Sequence, residues 1–87
     1  MNRNEILEKT IIIFKDVFSG KDIIINENTN SSEIEDWDSL SHITLISACE
    51  EEFGVKFGIN DIFKFKSVSD FVDCIEKKNN LRSISKI

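Results

Sequence analysis

The stretch Trp37-Asp38-Ser39-Leu40-Ser41-His42-Ile43-Thr44-Leu45-Ile46-Ser47-Ala48-Cys49-Glu50-Glu51-Glu52-Phe53-Gly54 decides the fold. Leu40, Ile43, Ile46 and Phe53, with Leu45 and Cys49 beside them, recur at helical spacing and predict an amphipathic helix with that stripe buried. Asp38 is a natural N-cap, because its carboxylate can accept the orphan N–H groups of a first helical turn, and Gly54 is a natural stop. Ser39 then opens the helix, exposed and at the positive end of its dipole. A serine so placed suits a covalently attached anionic group better than it suits a nucleophile that must attack unaided.

Upstream, Leu7, Ile11, Phe14 and Phe18 share one helical face that Ile6, Ile13 and Val17 broaden. They predict a first helix over about 4–18, capped by Asn2 or Asn4 and stopped at Gly20. Residues 19–38 then read as a long connection. Asn26, Asn28, Thr29, Asn30, Ser31 and Ser32 compete for backbone hydrogen bonds and favour turns. Ile23, Ile24, Ile25 and Ile34 are its apolar anchors, and some of them are expected to pin it across the top of the bundle. A short strand at 23–25 would lack an evident partner.

Downstream, a short third helix is expected over Asp61 to Lys64, presenting Ile62 and Phe63. The run Ser67-Val68-Ser69-Asp70 is a close relative of the capping box, with Asp as the reciprocal acid. Val68, Phe71, Val72 and Ile75 continue it as a fourth helix to about Lys78. The expected fold is all-α: a small four-helix bundle of three longer helices and one short one, with a long loop between the first two. The domain spans 1–78, and 79–87 is a polar tail expected to fray.

With 87 residues, 40% hydrophobic and 31% charged, the chain has one core and little to spare. Its net charge of −5 is unevenly spread. Between Lys21 and Lys56 there is no Lys or Arg, but there are nine acids: Asp22, Glu27, Glu33, Glu35, Asp36, Asp38, Glu50, Glu51 and Glu52. That distribution excludes nucleic acid as a partner of this half and favours a basic protein surface. Cys49 and Cys74 form no CxxC pair and read as reduced small hydrophobes. Ile11-Ile12-Ile13-Phe14 is too short for a signal peptide and is bracketed by Glu8, Lys9, Lys15 and Asp16, so the chain reads as cytoplasmic and without membrane insertion; a monomer is expected.

Several chemistries can be weighed at Ser39. Ser39 and His42 lie three apart on one helix face with Asp36 and Asp38 close by, but such a pair does not align imidazole with hydroxyl, and no Gly-rich oxyanion loop is evident. His42 is instead expected to be an exposed helix residue. A calcium loop starting at Asp36 fails, because Ser41 and Ser47 stand where Gly and Glu are required. No catalytic residue and no metal site is therefore assigned. An acidic helical adaptor without a prosthetic group would explain the charge but not the placement of Ser39.

Glu35-Asp36-Trp37-Asp38-Ser39-Leu40-Ser41-His42-Ile43, followed by Leu45-Ile46, Glu50-Glu51-Glu52-Phe53, Phe57, Phe65, Ser67-Val68 and Asp70-Phe71, resembles an acyl carrier protein. The resemblance runs from about Ile6 to Ile75. It implies a non-catalytic carrier, to whose Ser39 a phosphopantetheinyl transferase moves 4′-phosphopantetheine from coenzyme A. Acyl, aminoacyl or hydroxyacyl cargo would ride on the arm as a thioester between biosynthetic enzymes. A peptidyl or aryl carrier domain of a modular synthetase is a nearby alternative.

The resemblance further implies that Asp36, Asp38, Leu40, Glu50 and Glu51 dock acyl-transferring or acyl-activating enzymes with basic surfaces. Asp38 is both cap and transferase contact, whereas Leu40 divides evenly between partner contact and edge of the core. Ile43, one turn on, is expected in the core. Many fatty-acid carriers bear acids at the positions of Ser41 and Thr44, small residues at that of Trp37 and Pro at that of Gly58. These departures point to a stand-alone carrier in a specialised pathway. Phe14, Phe53, Phe57, Phe63 and Phe71 are expected to fill much of the interior, leaving room for short or polar cargo.

Overall fold

Asn2 begins the first helix by accepting the Glu5 N–H at 2.9 Å through its side chain, so the helix is α1 (Arg3–Val17). The computed structural model describes residues 2–18 and 24–85, with side chains within those ranges up to residue 79. After α1 come α2 (Ser39–Phe53), α3 (Ile59–Lys64) and α4 (Val68–Ser85). Among the described residues there is no strand, only one isolated antiparallel bridge between Asn30 and Ser67. The expected all-α four-helix fold is what forms. The Gly20 stop, together with Ile23, lies outside the described residues; Ile24 and Ile25 are not in a strand.

α1 packs against both α4 and α2. Its buried stripe is Ile6, Thr10, Ile13 and Phe14, with Leu7, Ile11 and Val17 only partly buried at its margin. The expected face is thus rotated, because Thr10 joins it: its hydroxyl donates to the Ile6 carbonyl at 2.7 Å and leaves no unsatisfied polar atom. Phe14, Phe71, Val68, Val72 and Ile75 are fully buried, and Phe14 meets Phe71 edge-to-face at 5.3 Å. Each such side chain contributes about 1.5–3 kcal/mol by area removed from water, most of it offset by chain entropy.

The long loop is held less by aliphatic anchors than by α4. Ile25 and Ile34 are buried, but Ile24 is exposed. The first N–H groups of α4 have no partner within the helix. Val68 and Ser69 donate theirs to the loop carbonyls of Thr29 and Glu27 at 2.9 and 3.0 Å, and Ser31 donates to Lys66 at 2.8 Å. Thr29 is itself buried and accepts the Asn26 N–H. Arg3 adds an outer clamp, reaching Glu27 at 2.6 Å and Asp73 at 2.7 Å; the bond to Glu27 and then that to Asp73 raise its pKa.

The fourth helix starts as expected. Asp70 accepts the Lys66 and Ser67 N–H groups at 2.8 and 3.1 Å, and Ser67 accepts that of Asp70. It ends later than expected, at Ser85 and not near Lys78. At the end of α2, Gly54 takes the left-handed conformation with φ 64°, which only glycine adopts without steric cost, and its N–H donates to the Glu50 carbonyl. α3 also starts earlier than expected, at Ile59.

Candidate functional site

Ser39 is the first residue of α2 and is exposed. The local geometry follows from a capping box that uses Ser in place of Glu. Asp38 Oδ1 accepts the Ser41 N–H at 2.9 Å, and Ser41 Oγ accepts the Asp38 N–H at 2.9 Å. The same hydroxyl also lies 2.9 Å from the Asp36 carbonyl. The Ser41 N–H, with the Ser41 hydroxyl next, holds the Asp38 carboxyl below the usual aspartate range, so it is anionic at neutral pH. Ser41 is therefore a structural residue of the helix start, a role the bare sequence leaves hidden because Glu or Gln is the commoner reciprocal partner.

Two hollows flank the helix start. One, of about 670 Å³, opens between α2 and α3 and is walled by Trp37, Ile43, Ile59, Ile62, Phe63 and Phe65, with Ser39 at its mouth. The other, of about 600 Å³, lies between the end of α1 and the start of α2 and carries Asp16, Asp36, Asp38 and Leu40. Ser39 lines the apolar cleft, and its chain neighbours Asp38 and Leu40 line the acidic one.

The apolar cleft exists because several large side chains expected inside are outside. Ile43 is 54% exposed, a correction to its expected core position, and Leu40 is 77% exposed, which takes it off the buried stripe. Phe63 is exposed as well, so it does not fill the interior, whereas Phe14, Phe53, Phe57 and Phe71 are buried as expected. The buried side of α2 is Leu45, Ile46, Cys49 and Phe53. Burial pushes the Cys49 thiol up to about 12, with Glu50 and Glu52 adding to the rise; Cys49 and Cys74 are both free thiols.

His42 is not a solvent-facing residue. It is half-buried, and the Trp37 indole Nε1–H donates to its Nδ1 at 3.0 Å. An indole nitrogen can only donate, so Nδ1 is the acceptor and Nε2 carries the proton, which it donates to the Ile62 carbonyl at 2.8 Å. Neither ring nitrogen is left for Ser39, which removes the geometric basis of a Ser-His hydrolase. Trp37 and His42 are the residues whose role the sequence conceals, since the pair meets only once α2 and the preceding turn have folded.

Of the docking candidates, Asp36, Asp38, Leu40 and Glu51 are exposed. Glu50 is half-buried, and its carboxylate accepts the Phe57 N–H at 2.9 Å, tying down the loop after α2. Glu52 pairs with Lys9 at 3.3 Å.

Residues 13–75 match the family model described as a phosphopantetheine attachment site. The chain belongs to the acyl carrier protein family. It is 38% identical over 78 residues to an acyl carrier protein of Thermosynechococcus vestitus, covering 90% of this chain and 96% of that one. An acyl carrier protein of Petrotoga mobilis is 30% identical over 81 residues, covering 93% and 95%. The solution structure of a holo acyl carrier protein from Geobacter metallireducens superposes with a TM-score of 0.76 at 34% identity, covering 87% of each chain.

The protein is accordingly an acyl carrier and not an enzyme, with a covalently bound 4′-phosphopantetheine prosthetic group. Its partners include a phosphopantetheinyl transferase and biosynthetic enzymes. The surroundings of Ser39 fit such a group: the residue is exposed, the helix start favours an anion, and an open apolar cleft lies beside it. No helix among the described residues is long and apolar enough to cross a membrane.

Proposed function

We propose that Ser39 is the attachment point of the arm, and that this carrier takes acyl-type cargo as a thioester between the enzymes of a specialised cytoplasmic pathway. One observation carries the proposal: an exposed serine opens a capped helix directly beside an apolar cleft. The arm supplies a terminal thiol for the cargo. Asp38 and Ser41 fix the backbone of the helix start, so Ser39 is held at an exposed position for an incoming transferase. Ile43, Ile59 and Phe63 offer the cargo an apolar resting surface, which favours an apolar chain where the sequence points to short or polar cargo.

The acidic hollow with Leu40 at its edge suits a basic partner surface carrying an apolar anchor. Asp36, Asp38, Leu40 and Glu51 supply that contact, with Glu50 contributing the part of its carboxylate not bound to Phe57. The specialised role is supported by Ser41 and Thr44, uncharged where many fatty-acid carriers bear acids. Here Ser41 closes the capping box and Thr44 donates to the Leu40 carbonyl at 3.0 Å.

Incubation with coenzyme A and a broad-specificity transferase, followed by intact-mass and peptide analysis, tests the attachment. One phosphopantetheine adduct on Ser39, lost in Ser39→Ala, is expected. A folded protein that takes no adduct, or an adduct that survives Ser39→Ala, overturns the assignment.

A further inference from the structure

The inner wall of the apolar cleft is a hydrogen-bonded strap. Trp37 Nε1–H reaches His42 Nδ1 at 3.0 Å, and His42 Nε2 reaches the Ile62 carbonyl at 2.8 Å, so one imidazole joins the turn before α2 to α3. α3 is six residues long and buries none of them fully; besides the strap it is held by the Asp61–Lys78 pair at 3.7 Å and by the partly buried Ile62. Behind the strap lies the aromatic core. Trp37 packs against Phe14 at 5.3 Å, His42 stands 6.0 Å from Phe71, and both phenylalanines are sealed from solvent.

Trp37 and His42 therefore separate two apolar spaces. A chain starting at Ser39 can lie along Ile43, Ile59 and Phe63 without displacing anything. To pass between α2 and α3 into the Phe14–Phe71 layer it must pull His42 from the Ile62 carbonyl. That leaves the His42 Nε2–H without its acceptor and the Ile62 carbonyl with only the 3.4 Å bond from the Phe65 N–H, which is costlier than never having made the bond.

Resting on the carrier reading above, we propose that Trp37 and His42 form a latch that holds α3 against α2 and sets how deep cargo can go. Cargo stays in the open cleft and out of the core. Short acyl chains are sheltered along their whole length, and the far end of a long one projects into solvent. His42 acts here as a positioning and length-selecting residue, through Ile62 and not through the reacting atoms.

The test loads Ser39 from butanoyl-, octanoyl- and hexadecanoyl-coenzyme A and follows two readouts. These are the rate at which hydroxylamine releases the acyl group, and the indole N–H resonance of Trp37, the chain's single tryptophan. In the natural protein, protection should rise from butanoyl to octanoyl and then stop, with the indole signal unmoved by any cargo. In His42→Ala, protection should keep rising to hexadecanoyl, and α3 amides should exchange roughly fivefold faster, the change one ordinary hydrogen bond produces. His42→Phe keeps a ring against Phe71 and should share the altered profile if the bonds, and not the volume, are what matter. The latch is overturned if hexadecanoyl shifts the indole signal of the natural protein, or if both variants keep its length profile. Failure to load Ser39 at all overturns its assignment as the attachment point, and the cargo-depth role with it.

Discussion

Phe63 and Phe71 sit close together in sequence, on successive helices, yet one is 78% exposed and the other fully buried. The contrast extends to their neighbourhoods. The α1–α4 side, with the loop stitched onto it, buries Ile6, Phe14, Val68, Phe71, Val72 and Ile75. The α2–α3 edge leaves Ile43, Ile59 and Phe63 exposed, and Leu40 is exposed on the other side of the α2 start. Both regions use the same residue types. The first spends apolar area on holding the chain together, and the second keeps it available around Ser39. The residues that hold the domain together and the apolar residues left exposed near Ser39 are thus two different sets.

The strongest way to break this comparison is to truncate one phenylalanine on each side. Phe71→Ala should cost about 3–5 kcal/mol in urea denaturation, the range for emptying a buried aromatic site. Phe63→Ala should stay within about 0.5 kcal/mol, as exposed substitutions do. Comparable losses would mean that the α2–α3 edge is part of the core after all.

The cysteines sharpen the same boundary. Cys49 is buried on the inner side of α2 with its thiol pushed up to about 12, whereas Cys74 is half-buried, its pKa raised by partial burial and then by Asp61. At neutral pH an alkylating reagent should modify Cys74 first in the native protein. Cys49 should react only as denaturant opens the bundle, which mass spectrometry of partly labelled protein would show. Early modification of Cys49 would place the inner face of α2 outside the stable unit.

The smallest effect belongs to the exposed cap at the start of α2. The Asp38 carboxyl titrates lower in the folded chain than in the unfolded one. Its contribution is therefore complete above the ordinary aspartate pKa and is lost as pH falls through the lowered folded value, where the unfolded chain binds the extra proton. Asp38→Asn should make the acid limb of the stability curve slightly shallower, measured by thermal melts across that window. An unchanged limb would show that the cap adds nothing at the exposed end of α2.

Much of the fold was legible because its signals are local. Asn2, Asp38, Ser67, Asp70 and Gly54 are punctuation marks whose side chains or backbone meet groups only a few residues away. The same holds for Ser39, whose exposure follows from being the first residue after a cap. Periodicity misled where a helix has apolar residues all round. On α2 the spacing of Leu40, Ile43 and Ile46 fits one stripe, yet only Ile46 of the three is buried, because α1 covers the side that carries Leu45 and Cys49. On α1, Thr10 was hidden by its hydroxyl, which turns inward onto the Ile6 carbonyl.

The sequence by itself determined the four helices, the starts of the three longer ones, the acidic middle of the chain and the serine at the head of α2. Each depends on residues near one another along the backbone. The tertiary structure alone decided which apolar faces are spent on packing, how the loop is stitched to the first turn of α4, and that Trp37, His42 and the Ile62 carbonyl close the cleft beside Ser39. These need groups from different elements to meet, and spacing along a chain does not say which face of a helix its neighbours will cover.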